Sequence, residues 1–127
     1  MSDPRRALGA LGERLAADHL ERAGYRIVER NFRTRYGELD IVATGDRCLV
    51  FCEVKTRVRG RAGSPGPFDA IGGLKRTQVR RMAAQWLAER RPQLDVPPHP
   101  DLRFDAIGVS MTAGGRLLAL DHLEDAF

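Results

Sequence analysis

Apolar and polar positions alternate with two periods along this chain, and the switches between them mark out seven elements. Leu8, Leu11 and Leu15 recur at helical spacing in an Ala-rich stretch, so residues 6–23 read as a first helix that Gly24 stops. Residues 25–32 read as a strand. Residues 37–43 and 47–56 read as two more, joined around Gly45-Asp46, a hairpin signal. A Gly-, Pro- and Arg-rich loop spans 57–67. Residues 69–91 form a second predicted helix, with Val79, Met82, Ala83, Trp86 and Leu87 on one stripe and Pro92 after its end. Residues 92–101 are a proline-rich connector. Residues 102–110 and 116–121 predict a last pair of strands across Gly114-Gly115. The order is α-β-β-β-α-β-β, an α/β arrangement, and 127 residues suit a single domain over 1–127 with a core of its own.

Composition changes this picture in one respect. The content is ordinary for a globular chain, 43% hydrophobic and 30% charged. The net charge of +4 is unevenly spread. Residues 1–53 balance, residues 54–91 carry a net +8, and residues 92–127 carry a net −4. A basic middle segment is the footprint of a protein that meets phosphates; the bland reading is a solvated basic helix and loop. Of the 21 basic residues 19 are Arg, and the two Lys are Lys55 and Lys75. In a chain that otherwise uses Arg, a compact ammonium at Lys55 hints at a site that needs one.

No apolar run approaches a membrane span, and the first twenty residues lack the apolar core of a secretory signal. Cys48 and Cys52 form no disulfide framework and match no zinc spacing, so reduced core cysteines and a cytoplasmic location are expected. His19, His99 and His122 show no ligand or triad spacing and read as structural. No phosphate-binding loop or dinucleotide fingerprint is present.

The chemistry concentrates in residues 37–55, GELDIVATGDRCLVFCEVK. Alternation puts Glu38 with Asp40, and Glu53 with Lys55. With Gly45-Asp46 as a two-residue turn, Asp40 falls opposite Phe51 and Glu38 opposite Glu53. All four polar groups then share one face of the hairpin, and Leu39, Ile41, Val50, Cys52 and Val54 form the core face. Carboxylates at cross-strand spacing, about 5 Å, repel unless a cation lies among them. Oxygen ligation favours Mg²⁺ or Mn²⁺. Asp40 and Glu53, with the Val54 carbonyl, are the candidate metal ligands, and Lys55 the candidate group to orient a nucleophile or stabilise a phosphorane-like transition state. The competing reading is a solvated strand face with cross-strand ion pairs. Glu13, on a helix side lined by small residues, and Lys75, at the head of the second helix's stripe, are candidates to complete the site.

At these residues the chain resembles a known family. Gly37-Glu38-Leu39-Asp40-Ile41-Val42-Ala43, then the run from Leu49 to Arg57, look like the YraN family of small bacterial proteins. Leu11-Gly12-Glu13, Gly24-Tyr25, Arg30-Asn31-Phe32, Ser64-Pro65, Lys75, Arg103-Phe104-Asp105 and Asp125-Ala126-Phe127 extend the resemblance over nearly the whole chain. It departs at Asp69-Ala70-Ile71, where the family tends to carry Glu-Ala-Val. That family is similar to the PD-(D/E)xK nuclease superfamily and to archaeal Holliday-junction resolvases. The resemblance implies a restriction-endonuclease-like core, a mixed β-sheet flanked by helices. It also implies that Asp40, Glu53 and Lys55 match the metal and catalytic positions and Glu13 a helix-1 acidic position.

The expectation is therefore a Mg²⁺- or Mn²⁺-dependent endonuclease acting on DNA, with branched or structured DNA as the substrate class. Glu13, Glu38, Asp40 and Glu53 are its candidate metal ligands. Arg57, Arg59, Arg61, Lys75, Arg76, Arg80 and Arg81 are its candidate phosphate contacts, sequence-blind and salt-dependent. Symmetric cutting of a junction leaves room for a homodimer. Two other classes fit the same residues: a nucleic-acid-binding module that keeps the fold without turnover, and an adaptor whose basic face meets an acidic protein.

Overall fold

The computed structural model describes residues 4–45, 47–59, 73–90 and 101–127. The elements are α1 (Pro4–Arg22), β1 (Arg26–Thr34), β2 (Gly37–Gly45), β3 (Cys48–Val58), α2 (Gly73–Arg90), β4 (Asp101–Met111) and β5 (Leu117–Leu123). The five strands form one mixed sheet in the order β1-β2-β3-β4-β5. β3 and β4 run parallel and the other neighbours antiparallel. A parallel pair needs a crossover between its strands, and α2 lies in that connection. The expected α/β architecture and element order are therefore those of the structure.

A helix packs on each face of the sheet. Ala16, Ala17 and Leu20 of α1 pack with Ile41, Ala43, Val50 and Cys52 and with Ile107, Val109 and Met111 of β4. Val79, Met82, Ala83 and Trp86 of α2 pack with Val42, Leu49, Phe51 and Phe104. Covered on both sides, Leu49, Val50, Phe51 and Cys52 are all buried in succession, which is why β3 reads as an unbroken apolar run. Trp86 is fully buried, its ring edge-on to Phe51 at 5.7 Å.

Three expectations need correction. Gly45 pairs with Cys48 and Thr44 with Leu49, so Gly45 belongs to the ladder and not to the turn, and Arg47, before Cys48, has φ 64°. The register moves by two, so Val42 rather than Asp40 opposes Phe51. An even shift preserves which residues share a face of a regular ladder. The second correction is that the ladder is not regular throughout. Pairing of β2 with β3 ends at Ile41–Cys52, while β2 continues paired to β1 through Phe32–Leu39 and Arg33–Glu38. Leu39 and Val42, three apart, both join the α2 side, and Ile41 joins the α1 side. Alternation thus slips at Asp40, where β2 leaves β3, and Leu39 is not on the face of Ile41. Third, β3 runs to Val58, so Arg57 belongs to a strand and not to a loop. Asp46, Arg61, Ser64-Pro65, Asp69-Ala70-Ile71 and most of the connector lie outside the described residues.

The contact that brings α1 down onto the sheet is at Gly12. A Cβ there would collide with the Thr56 hydroxyl of β3 and press on its other side-chain atoms at 3.2 Å. Only a hydrogen at this position leaves room for the Thr56 side chain, and Glu13 follows directly. Gly12→Ala gains helix propensity but overpacks this contact. The net expectation is a loss of roughly 1–2 kcal/mol in urea unfolding. An unchanged midpoint would show that α1 does not rest on β3 through this glycine.

Candidate metal centre

Three of the expected carboxylates meet where β2 parts from β3. Glu13 of α1 and Glu38 and Asp40 of β2 each offer an oxygen, all within 4.8 Å of one another. Asn31 of β1, in the left-handed region at φ 57°, turns its amide into this group. With the amide nitrogen placed to donate, it lies 2.7 Å from Glu38 Oε1 and 2.9 Å from Glu13 Oε2. Arg33 pairs with Glu38 at 3.5 Å and Arg30 with Glu13 at 3.9 Å. Asp40 Oδ2 accepts a hydrogen bond from the Val54 N–H at 2.7 Å. That bond takes up a β3 donor just past the last β2–β3 pair.

Glu53 and Lys55 belong to a second group around the same residue of β3. Glu53 is buried, and its Oε1 meets Lys75 Nζ of α2 at 2.6 Å and Lys55 Nζ at 3.4 Å. Its Oε2 is buried with no hydrogen-bond partner among the described residues. The expectation of four polar groups on a single hairpin face is therefore replaced by two clusters. Glu38 and Asp40 gather with α1, and Glu53 is held by a lysine of α2, with Val54 between Glu53 and Lys55 bonded to Asp40. The slip at Asp40 is the physical reason.

The clusters are electrostatically linked. Burial raises the Asp40 carboxyl to about 7; the Val54 N–H opposes the rise, and the charges of Glu13, Glu53 and Glu38 add to it. Burial, then the Glu38 charge, raise Glu13 as well, against Arg30 and Asn31. Glu13, Glu38 and Asp40, carboxylates that cannot all ionise cheaply, offer the oxygen donors a hard divalent cation takes, and Asp40 is electrostatically coupled to Glu53. The residues fit such an ion.

The expected phosphate contacts are dispersed. Arg57 and Arg59 are exposed at the end of β3, and Arg76, Arg80 and Arg81 are exposed along α2. Arg80 also donates to the Phe127 carbonyl at 3.0 Å and lies over the Phe104 ring. Lys75 is committed to Glu53.

A further polar cluster was not foreseen. Asp105 of β4, fully buried, accepts from Arg103 at 2.9 Å, from His122 of β5 at 2.7 Å and from the Asp125 N–H at 2.9 Å. Arg103 also reaches the Tyr25 hydroxyl at 2.7 Å, and His122 meets His19 of α1 at 3.0 Å. Burial works to raise the Asp105 carboxyl, but the bonds from His122 and Arg103 outweigh it and hold it below its usual value. The network ties His19 of α1 and Tyr25, just before β1, to the far edge of the sheet. Arg103 and Asp105 alternate on one strand face, a signal that period-2 reading could have used.

Fold and site together define a small mixed α/β protein with an acidic cluster at a strand fork. The model of the uncharacterised protein family UPF0102 matches residues 12–109, a span that holds Glu13, Glu38, Asp40, Glu53 and Lys55. A UPF0102 protein of Geobacter metallireducens is 44% identical over 127 residues, covering 100% of this chain and 97% of its own. One from Nocardia farcinica is 46% identical over 123 residues, covering 97% and 91%. A third, UPF0102 protein Francci3_3586 of Frankia casuarinae, is 44% identical, covering 95% and 96%. The chain belongs to the UPF0102 family.

Asp40 makes stability depend on pH. Its folded-state carboxyl titrates near 7, above the ~4 of an unfolded chain, so its contribution is fully present below about pH 4 and is lost as the pH rises through 7. Asp40→Asn holds the neutral form at every pH. In EDTA it is expected to stabilise the protein by on the order of 2 kcal/mol at pH 8 and to change little at pH 4.5. Equal effects on thermal unfolding at the two pH values would remove this reading.

Proposed function

We propose that this protein is a divalent-metal-dependent endonuclease that hydrolyses phosphodiester bonds in DNA, with branched or structured DNA as the substrate class. The observation that carries the reading is the buried Glu53 Oε2, which has no hydrogen-bond partner among the described residues and is linked electrostatically to the Glu13–Glu38–Asp40 cluster. Asp40 and Glu53, with Glu13 and Glu38, would hold Mg²⁺ or Mn²⁺, which when bound lowers the pKa of a water and neutralises charge on the scissile phosphate. The resemblance to the PD-(D/E)xK superfamily at Asp40, Glu53 and Lys55 supports the same assignment by analogy.

The chain's own groups supply the rest. Lys55 is about half exposed beside Glu53, so its ammonium can reach a phosphate oxygen where charge develops. Lys75, less exposed, orients Glu53 by a short ion pair. Val54 fixes Asp40 through its N–H. The exposed guanidiniums of Arg57, Arg59, Arg76, Arg80 and Arg81 are suited to sequence-independent phosphate contacts, and Arg61 is assigned with them from the sequence. No helix among the described residues is long and apolar enough to cross a membrane, which is compatible with a cytoplasmic site of action. A homodimer would suit a symmetric junction.

One observation favours a second reading, a nucleic-acid-binding protein without turnover. Lys75 and Lys55 already neutralise one oxygen of Glu53, so internal ammonium groups stand where a catalytic site would hold a cation.

Cleavage decides between them. With Mn²⁺, a panel of junction, flap and single-stranded DNA is expected to include a cut substrate, and Glu53→Ala and Lys55→Ala are expected to slow cutting by about 10²–10³-fold. DNA binding without cutting, together with no Mn²⁺ affinity that Asp40→Ala abolishes, would leave the second reading. Cutting by both variants at the wild-type rate would remove this site from the reaction.

A further inference from the structure

Away from the carboxylates, the turn between β1 and β2 meets α2 in a cavity of about 300 Å³ lined by Arg35, Tyr36, Thr77, Gln78 and Arg81. Gln78 donates to the Tyr36 carbonyl, which seats the turn on the helix. Gly37, at φ 131°, lets the chain pass close to that side chain; a Cβ there would meet Gln78 Nε2 at 3.2 Å.

Two guanidiniums converge on one aromatic ring. Arg35 lies over Tyr36 at 4.9 Å from the ring centroid and donates to its hydroxyl at 2.7 Å. Arg81 lies over the same ring at 5.5 Å. Like charges brought together oppose one another, and the ring's electron-rich face offsets part of that cost. Neither guanidinium meets a carboxylate among the described residues, whereas Arg30, Arg33, Arg90 and Arg103 each do. Apart from the bond from Arg35 to the Tyr36 hydroxyl, their donors are available to an anion with several acceptor oxygens, which two guanidinium forks suit better than a single ammonium.

The position says which anion. Gln78 is three residues on from Lys75 along α2, and Lys75 touches Glu53. Three residues of helix rise about 4.5 Å, so Gln78, which lines the cavity, follows less than one turn after the lysine that holds Glu53. A strand whose scissile phosphate lay at the carboxylates would bring a neighbouring phosphate to this cavity.

We propose that Arg35, Arg81 and the Tyr36 hydroxyl form a clamp for a backbone phosphate of a nucleic-acid strand, next to the candidate metal centre. The assignment deepens the nucleic-acid reading above and rests on it. It adds two residues, Arg35 and Tyr36, outside the basic segment on which that reading was built. The clamp reads no base. It sets where along the strand the carboxylates fall.

The test is fluorescence anisotropy with a labelled single-stranded oligonucleotide in EDTA, at a series of salt concentrations. The Arg35→Ala/Arg81→Ala variant is expected to bind about tenfold more weakly or worse. The slope of log K against log salt is expected to be shallower by ~0.7 for the phosphate lost. Arg116→Ala, an exposed arginine beside the opposite edge strand, is expected to match wild type. Arg81→Glu carries the same expectation as the double variant and replaces it if the double variant shows no cooperative unfolding. Wild-type affinity and slope in these variants overturn the proposal, as does a wild-type protein that binds no oligonucleotide at low salt. A free-anion site overturns the strand assignment: it would broaden the ³¹P resonance of inorganic phosphate in an Arg35- and Arg81-dependent way, with DNA binding unchanged. Because the assay holds no metal, the two readings fail separately. A protein that shows the clamp's salt signature but cuts nothing loses the catalytic reading alone. Glu53-dependent cutting with no effect of the Arg variants loses the clamp alone.

Discussion

The hydrogen bond from the Val54 N–H to Asp40 Oδ2, 2.7 Å long, stands where the ladder between β2 and β3 has ended. A strand that leaves its neighbour abandons backbone donors, and a buried donor must be paired. Here a carboxylate does that work, and the rest of the site follows from it. The bond fixes Asp40 at the fork. The fork is where β2 turns Glu38 toward α1, and the glycine contact of α1 with Thr56 brings Glu13 to the same place. On β3 the residues either side of Val54 are Glu53 and Lys55, so one peptide unit joins both clusters.

Grouping carboxylates this way costs stability. Burial and mutual repulsion keep Asp40 half-protonated near neutral pH, and Glu13 is raised for the same reasons. A protein selected for stability alone would replace such a cluster with apolar or neutral residues. The Asp105 network shows that this chain can satisfy a fully buried carboxylate completely, with Arg103, His122 and a backbone N–H. Against that standard Glu53 Oε2, without a hydrogen-bond partner among the described residues, and the Glu13–Glu38–Asp40 group stand apart.

Much of this was legible in the chain. The stripe of Val79, Met82 and Trp86 gave the second helix its buried face, and β3 was legible as a strand, though only one of its two buried faces was read as core. Asp40, Glu53 and Lys55 could be singled out because charged residues interrupt otherwise apolar strands. What could not be read was tertiary. Turn chemistry offered Gly45-Asp46, but Gly45 is paired in the ladder and the left-handed conformation is taken by Arg47, a residue type that gives no such signal. The slip at Asp40 depends on β2 following β1 after parting from β3, which no local pattern encodes. Lys75, at the head of the core-facing stripe, could be singled out as a candidate, but its partner Glu53, 22 positions away in the chain, could not. Asn31 and the bond between Asp105 and His122 escaped for the same reason: their partners lie on other elements.

The central claim is that the fork holds a group of carboxylates poised to take a cation. Its most direct test is a ¹³C NMR titration of the side-chain carboxyls with and without Mg²⁺. The account predicts an Asp40 midpoint near 7 in EDTA that moves down sharply when the ion is added, while Asp105 does not respond. An Asp40 that titrates near the ordinary ~4 of a solvated carboxylate, indifferent to Mg²⁺, would contradict it.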